Sequence, residues 1–364
     1  MVNRVLICGL TSNRGGTESY VMSIYRNIDR TIMQFDFLCI GEKRMAYEDE
    51  VKAMGGNVYY APLKRDGVKE QHRLFKEIFN NNHYIGVYYQ TTHGLQSLDV
   101  FKIALKNGVK YRAIHSHSTS EEKSGVIASI RRKLALIEMD KYVNMLFACS
   151  KEAGEWMFPG KEFSIIKNSI DTELFSYSPA VRDEIIKELG LSNKRIVGTV
   201  ASFTYPKNPE FLVDIVDNLL KINNEIVFIH LGTGPLETRI KEEVEKRGIV
   251  DRYLFIESKP DVYRYLNAMD VFVLPSRYEG FPISYIEAQA SGVRCIISDV
   301  VTRASDLTDN TVFLKANDNA EEWARIIDEN LNYERKDMSL IIKNLGYDIK
   351  DTVNHIYALF GVEN

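Results

Sequence analysis

The sequence predicts an α/β fold built from two Rossmann-like parallel-sheet domains, and three observations carry that prediction. Short apolar runs alternate with segments of helical period from one end of the chain to the other, which is the signature of βαβ units. The chain has 364 residues, too many for one ordinary core and enough for two. Between two such βα sets lies Pro159–Ser178, a stretch punctuated by Gly160, Asn168, Asp171 and Ser176 that reads as a connector.

Taken in order, the strand candidates of the first half are Val5–Gly9, Phe35–Ile40, Val58–Ala61, Ile85–Tyr89, Tyr111–His115 and Leu146–Ser150. Those of the second half are Arg195–Val200, Ile226–Leu231, Tyr253–Ile256, Val271–Leu274 and Arg294–Ser298. Helices fill the gaps, among them Thr17–Ile28 with Thr17 as N-cap, and Glu210–Leu220 after Asn208-Pro209, where proline suits the first turn. A final helical segment follows Gly346 and runs through His355, Ile356 and Leu359. The expected domains are 1–166, 167–346 and a C-terminal helix at 347–364, whose apolar positions suit docking on either domain, with packing back on the first as one option. Two such domains in series give a cleft lined by the carboxyl ends of their strands.

Composition narrows the function classes. Hydrophobic residues make up 45% and charged residues 26%, as in a globular protein. A net charge of −4 and a pI near 6.1 supply no global basic field, so nucleic acid is not an expected partner and phosphate binding must be local. Cys8, Cys39, Cys149 and Cys295 sit in apolar runs without metal-ligand spacing and read as core residues in a reducing, cytoplasmic compartment. No apolar run approaches bilayer length. The segment Val126–Tyr142 carries Ile127, Ile130, Leu134 and Ile137 at helical spacing beside Arg131, Arg132 and Lys133. It reads first as a helix packing on its own sheet, and second as a surface for an anionic membrane.

The most informative segment runs from Val271 to Gly292. It describes a buried strand, a turn holding Glu279, and a helix whose first turn offers the N–H groups of Ile283 and Ser284 beside Glu287. Donors for a diphosphate and carboxylates for sugar hydroxyls are the parts a nucleotide diphosphate sugar requires. A paired-carboxylate glycosidase would need Glu287 to protonate a leaving oxygen, which its place in a helix does not suit. Other strand ends add to the set. Gly15 and Gly16 open a helix after the first strand, where adjacent glycines allow close approach of a phosphate, although the dinucleotide fingerprint is absent. Lys207 follows the first strand of the second domain and can neutralise a leaving diphosphate. Gly232 and Gly234 flank a glycine turn that lets a ligand or a backbone come near. His115-Ser116-His117 closes a strand without the further ligands zinc would need, leaving His117 as a hydrogen-bonding group near a sugar or a structural histidine.

In order and spacing these segments resemble the family 4 retaining glycosyltransferases of the GT-B fold, the glycosyl transferases group 1, of the type that builds capsules and exopolysaccharides. The resemblance rests on Gly15-Gly16, His115-Ser116-His117, Ala148-Cys149-Ser150, Lys167-Asn168-Ser169-Ile170-Asp171 with Phe175, Pro206-Lys207-Asn208, Gly232-Thr233-Gly234, Asp270 through Ser276, and Glu279 through Gly292. It implies that a nucleotide-sugar donor is held mainly by the second domain, while the first serves a glycan or lipid-linked glycan acceptor. Glu279, Lys207 and His117 are then the catalytic set. Glu287 meets the ribose, Glu279 with Gly280 and Phe281 the donor hexose, and Ser258 and Lys259 the base. Gly16, Lys207, Ile283 and Ser284 hold the diphosphate, with Gly15, Ser202, Gly232 and Gly234 around it. Neither cofactor nor metal is implied. Two departures stand out: Ser202 occupies the place where the family commonly carries an arginine, five positions before the lysine, and Phe281-Pro282 replaces a frequent Phe-Gly. Arg14 and Lys259 are the cations expected to compensate for Ser202. Variable loops at Lys64–Gln71 and Thr119–Ser124 are expected to choose the acceptor. Two alternatives stay open beside transfer of a hexose or N-acetylhexosamine from a UDP-linked donor: a sugar-nucleotide epimerase, and a silent relative that partners another transferase.

Overall fold

The computed structural model describes residues 2–91, 98–117, 134–257, 259, 261–316 and 319–363. The chain forms two compact units, Met1–Ser169 with Ile349–Asn364, and Ile170–Asp348. Each is a parallel sheet flanked by helices, the α/β Rossmann-like class that the alternation of apolar runs predicts.

The first unit carries β1 (Asn3–Cys8), β2 (Met33–Ile40), β3 (Val58–Ala61), β4 (Tyr84–Thr91), β5 (Tyr111–Ser116), β6 (Met145–Ala148) and β7 (Ser164–Ile165), in the sheet order β3-β2-β1-β4-β5-β6-β7. The second carries β8 (Arg195–Val200), β9 (Ile226–Leu231), β10 (Tyr253–Ile256), β11 (Val271–Leu274), β12 (Arg294–Ser298) and β13 (Thr311–Leu314), ordered β10-β9-β8-β11-β12-β13. In both sheets the order reverses beside the first strand of the set, between β1 and β4 and between β8 and β11. Loops leaving the carboxyl ends of those strands diverge there, which opens room for a ligand.

Alternation along the strands explains why they read as unbroken apolar runs. Val197, Val271, Val273 and Ile296 pack on one face of the second sheet, and Ile196, Phe272, Leu274 and Ile297 on the other. With helices on both faces, successive side chains are all buried. The two strands absent from the sequence reading are edge strands: β7 has two exposed residues and β13 is half-buried, so neither shows the core pattern.

Several local expectations are corrected. The helix at the first glycine pair is Gly16–Asn27 with Gly15 at its N-cap, so Thr17 lies inside the helix and does not cap it. Lys64–Gln71 is not a loop but the start of the helix Lys64–Asn81, interrupted at Gly67 (φ 172°, ψ 74°), whose charged sequence hides a stripe of Gln71, Phe75, Ile78 and Phe79. Thr119–Ser124 lies outside the described residues, as do 126–133 of the amphipathic segment. The remainder of that segment is helical at 134–139, yet Leu134 and Ile137 are 61% and 69% exposed and do not pack on the sheet.

The C-terminal helix Ile349–Leu359 belongs to the first unit. The Asp29 N–H donates to the Tyr357 hydroxyl at 2.6 Å, and Phe360 lies edge-on to Tyr88 and Tyr111. Gly86 makes room for it, since a Cβ there would fall 2.4 Å from the Phe360 ring.

Candidate active site

The reversal point of the second sheet is built by two loops that hold each other. After β8 the chain makes a single turn at Tyr205–Lys207, and Asn208, in the left-handed region (φ 56°, ψ 48°), passes it to the helix Pro209–Ile222. Asparagine tolerates that conformation, and its side chain donates to the Pro275 carbonyl at 3.1 Å, beyond the end of β11. From the other side the Arg277 N–H donates to the Pro206 carbonyl at 2.7 Å. The Arg277 guanidinium donates to the Tyr205 carbonyl at 2.9 Å and lies 4.4 Å from the centre of the Tyr205 ring. These ties bring the Lys207 ammonium into an ion pair with Glu279, although the two are 72 residues apart in sequence. Both side chains are largely buried, 23% and 13% exposed, and the Ser276 hydroxyl lies 3.4 Å from the same carboxylate.

The helix that follows is Ile283–Ala290, entered through Pro282. The Pro282 carbonyl accepts from the N–H groups of Tyr285 and Ile286 at 3.2 and 3.3 Å. Ile283 and Ser284 are first-turn residues, whose N–H groups have no intrahelical carbonyl to meet and carry the positive end of the helix dipole. Glu287 follows one turn later on the same face. Burial pushes its carboxyl up from 4.5 to about 7, although part of the residue's surface is open to solvent. At Gly280 a Cβ would meet open space, and Phe281 stacks on Tyr347 with ring centres 5.7 Å apart.

The glycine turn after β9 lies against the loop after β8. At Gly232 (φ +156°) a Cβ would fall 2.0 Å from the Ala201 carbonyl oxygen, and at Gly234 2.6 Å from that of Phe203. These glycines therefore admit a neighbouring backbone, and the Phe203 N–H donates to the Thr233 carbonyl at 3.1 Å. Ser202 meets Thr204 hydroxyl to hydroxyl at 3.0 Å. Beneath them sits His230, which the sequence reading missed because it is one polar residue inside an apolar strand. Burial drives its imidazole down to about 3. Neutral, it donates from Nε2 to the Ala201 carbonyl at 3.1 Å and accepts at Nδ1 from the Tyr253 hydroxyl at 2.9 Å. Its ring stacks on Phe203 at 3.9 Å. Lys259 points to the Tyr265 hydroxyl at 3.3 Å, and Ser258 lies outside the described residues. Arg277, unremarked in the sequence, is the guanidinium that this unit places on the Lys207 turn.

In the first unit Gly15 has extended backbone (φ −91°, ψ −179°), and a Cβ on it would fall 2.7 Å from the Glu18 carboxylate. Glu18, another residue the sequence did not single out, accepts from the Thr11 N–H at 3.1 Å and from the Thr11 hydroxyl at 2.8 Å, which fixes the glycine-bearing loop. Arg14 lies 5.2 Å from the centre of the Tyr47 ring. At the end of β5, His117 Nε2 is 2.7 Å from Gln90 Oε1, and His115 Nδ1 is 2.7 Å from the Tyr88 hydroxyl. Burial lowers both histidines, His117 to about 4, so both are neutral near pH 7. Among the described residues no three His, Cys, Asp or Glu side chains are grouped to hold a metal ion, and no helix is long and apolar enough to cross a membrane.

A family model for glycosyl transferases group 1 matches residues 181–344. EpsF of Bacillus subtilis (strain 168) is 30% identical over 96% of this chain and 94% of its own length. The UDP-Gal:alpha-D-GlcNAc-diphosphoundecaprenol alpha-1,3-galactosyltransferase of Escherichia coli is 33% identical over 38% of this chain and 37% of its own. Among solved structures, that of Anabaena HepE in complex with UDP and glucose shares the fold, with a TM-score of 0.74 over 99% of each chain at 17% identity. Full-length similarity and the family match to the unit carrying Lys207, Glu279 and Glu287 together make this chain a glycosyltransferase, a member of the glycosyl transferases group 1.

Proposed function

We propose that the protein transfers a hexose or N-acetylhexosamine, with retention of anomeric configuration, from a UDP-linked donor to a growing, lipid-linked glycan of a surface polysaccharide. The observation that carries the reading is the Lys207–Glu279 pair at the reversal point of the second sheet, next to the helix that offers the Ile283 and Ser284 N–H groups. An ammonium and oriented N–H groups can take up the charge on a departing diphosphate, a role that requires no metal ion. In this reading Glu279 with Gly280 and Phe281 accepts the donor hexose, Glu287 the ribose hydroxyls, and Ser258 and Lys259 the base. Ser202, Gly232 and Gly234 shape the loops around the diphosphate. Gly15, Gly16 and His117 of the first unit serve the same donor, and that unit takes the acceptor. UDP-linked donors are supported by the galactosyltransferase relative and by HepE, whose complexes contain UDP.

The test is purified protein with a panel of nucleotide sugars and synthetic lipid-diphosphate glycans. Release of UDP that depends on acceptor supports transfer, and proton NMR of the product reads its anomeric configuration. Interconversion of the nucleotide sugar, or loss of turnover on chelation, refutes the reading. Ser202 favours one second reading, a relative that binds nucleotide without transfer, and binding without turnover across the panel would establish it. The exposed Leu134 and Ile137 support contact with an anionic bilayer, to be read by sedimentation with phosphatidylglycerol vesicles.

A further inference from the structure

His115 and His117 stand two residues apart at the end of β5, so their rings share a face and approach to 4.1 Å between centres. A neutral imidazole carries its proton on one nitrogen only, and its neighbours decide which. Gln90, at the end of β4 and in register with His115, is 1% exposed. Its Oε1 lies 2.7 Å from His117 Nε2, and an amide oxygen can only accept. Its amide nitrogen makes no hydrogen bond, although Gln90 offsets part of the rise that burial imposes on the neighbouring Tyr88 hydroxyl. Tyr88 in turn meets His115 Nδ1 at 2.7 Å. Each ring thus has its own partner on β4, Gln90 for His117 and Tyr88 for His115. The strand under Gln90 is held in place as well, because Gly9 (φ +94°) lies so close that a Cβ there would fall 2.0 Å from the Gln90 carbonyl oxygen.

We propose that Gln90 is a positioning residue of the transferase site: its buried amide holds His117 as the Nε2–H tautomer in one fixed ring orientation. The functional part rests on the reading above that gives His117 a role at the donor; the tautomer itself does not. Among the described residues the titratable groups facing the two rings are Tyr20 and Tyr88, with Cys149 beyond them beside Tyr20. Asn168 lies beside the His117 ring and offsets part of the lowering that burial imposes on it, and an amide can offer either polarity to the tautomer that Gln90 selects. A Gln90 amide turned the other way would place its N–H groups on the ring and move the proton to Nδ1, so the two arrangements are distinct to measurement.

The experiment is NMR of the whole protein labelled with ¹⁵N-histidine, the His117 signals being assigned from a His117→Asn variant. The expected result is an Nε2–H tautomer that does not titrate above about pH 5. Gln90→Leu should give mixed tautomers and a kcat about tenfold lower at unchanged donor KM. Gln90→Glu, which sets a carboxylate against the ring, should raise the titration of His117 by at least one pH unit, a tenfold change in its protonated fraction. An Nδ1–H tautomer in the wild type, titration near 6.5, or a Gln90→Leu spectrum and kcat like the wild type would each overturn the proposal. Wild-type turnover in His117→Asn, with the Nε2–H tautomer seen in the unsubstituted protein, would instead refute the donor role of His117.

Discussion

Glu287→Gln separates two consequences of one carboxyl. Burial raises Glu287 from 4.5 to about 7, a difference worth roughly 3 kcal/mol between its protonation states at about 1.4 kcal/mol per unit. An acid whose value is raised on folding keeps its proton in the folded state while the unfolded chain has already lost it. Folding stability is therefore fully present below about pH 4.5, declines as the pH rises through about 7, and is level above that. Glutamine cannot ionise, so the variant should match the wild type near pH 4 and exceed it by up to about 3 kcal/mol at pH 8, measured by urea denaturation. Nucleotide binding should run the other way. If Glu287 accepts from the ribose hydroxyls with both its oxygens it does so ionised, because protonation turns one oxygen into a donor, and the ionised fraction rises from roughly one tenth at pH 6 to roughly nine tenths at pH 8. Titration calorimetry with UDP-glucose, whose diphosphate does not ionise in this range, should show affinity about tenfold higher at pH 8 in the wild type and flat in the variant. A pH-independent wild-type affinity would remove Glu287 from the ribose site. A stability difference that ignores pH would show that the carboxyl is not buried as described.

Lys207→Ala should lower kcat by roughly 10²–10³, the scale of removing one preorganised charge donor from a transition state, while circular dichroism shows an intact fold; near-normal rates would exclude the lysine from the reaction. Phe360→Ala should cost about 3–5 kcal/mol by chemical denaturation, because the ring fills the space that Gly86 leaves open beside Tyr88 and Tyr111; a loss under about 1 kcal/mol would mean that the C-terminal helix is not docked by this contact. Gly292→Ala should destabilise by more than about 1 kcal/mol, since the residue has φ +68° and its Cβ would fall 1.7 Å from the Lys336 carbonyl oxygen; an unchanged melting curve would contradict that approach.

By itself the sequence determined the α/β class, most of the strands, the loops on which Lys207 and Glu279 stand and the helix that carries Glu287. Those features are written locally: a strand buried on both faces is a run such as Val271–Leu274, and a proline at the first turn or a glycine past the last marks a helix end. Edge strands β7 and β13 escaped because half-exposed residues carry no such run. What only the tertiary structure decided is which local pieces meet. Lys207 pairs with Glu279 because β8 and β11 are neighbours at the reversal of strand order and Arg277 ties their loops. His230 supports the Ala201 carbonyl, and Gln90 reaches His117, across adjacent strands. Such contacts depend on sheet order and register, which are set by the summed packing of the unit and leave no periodic trace in the residues that make them.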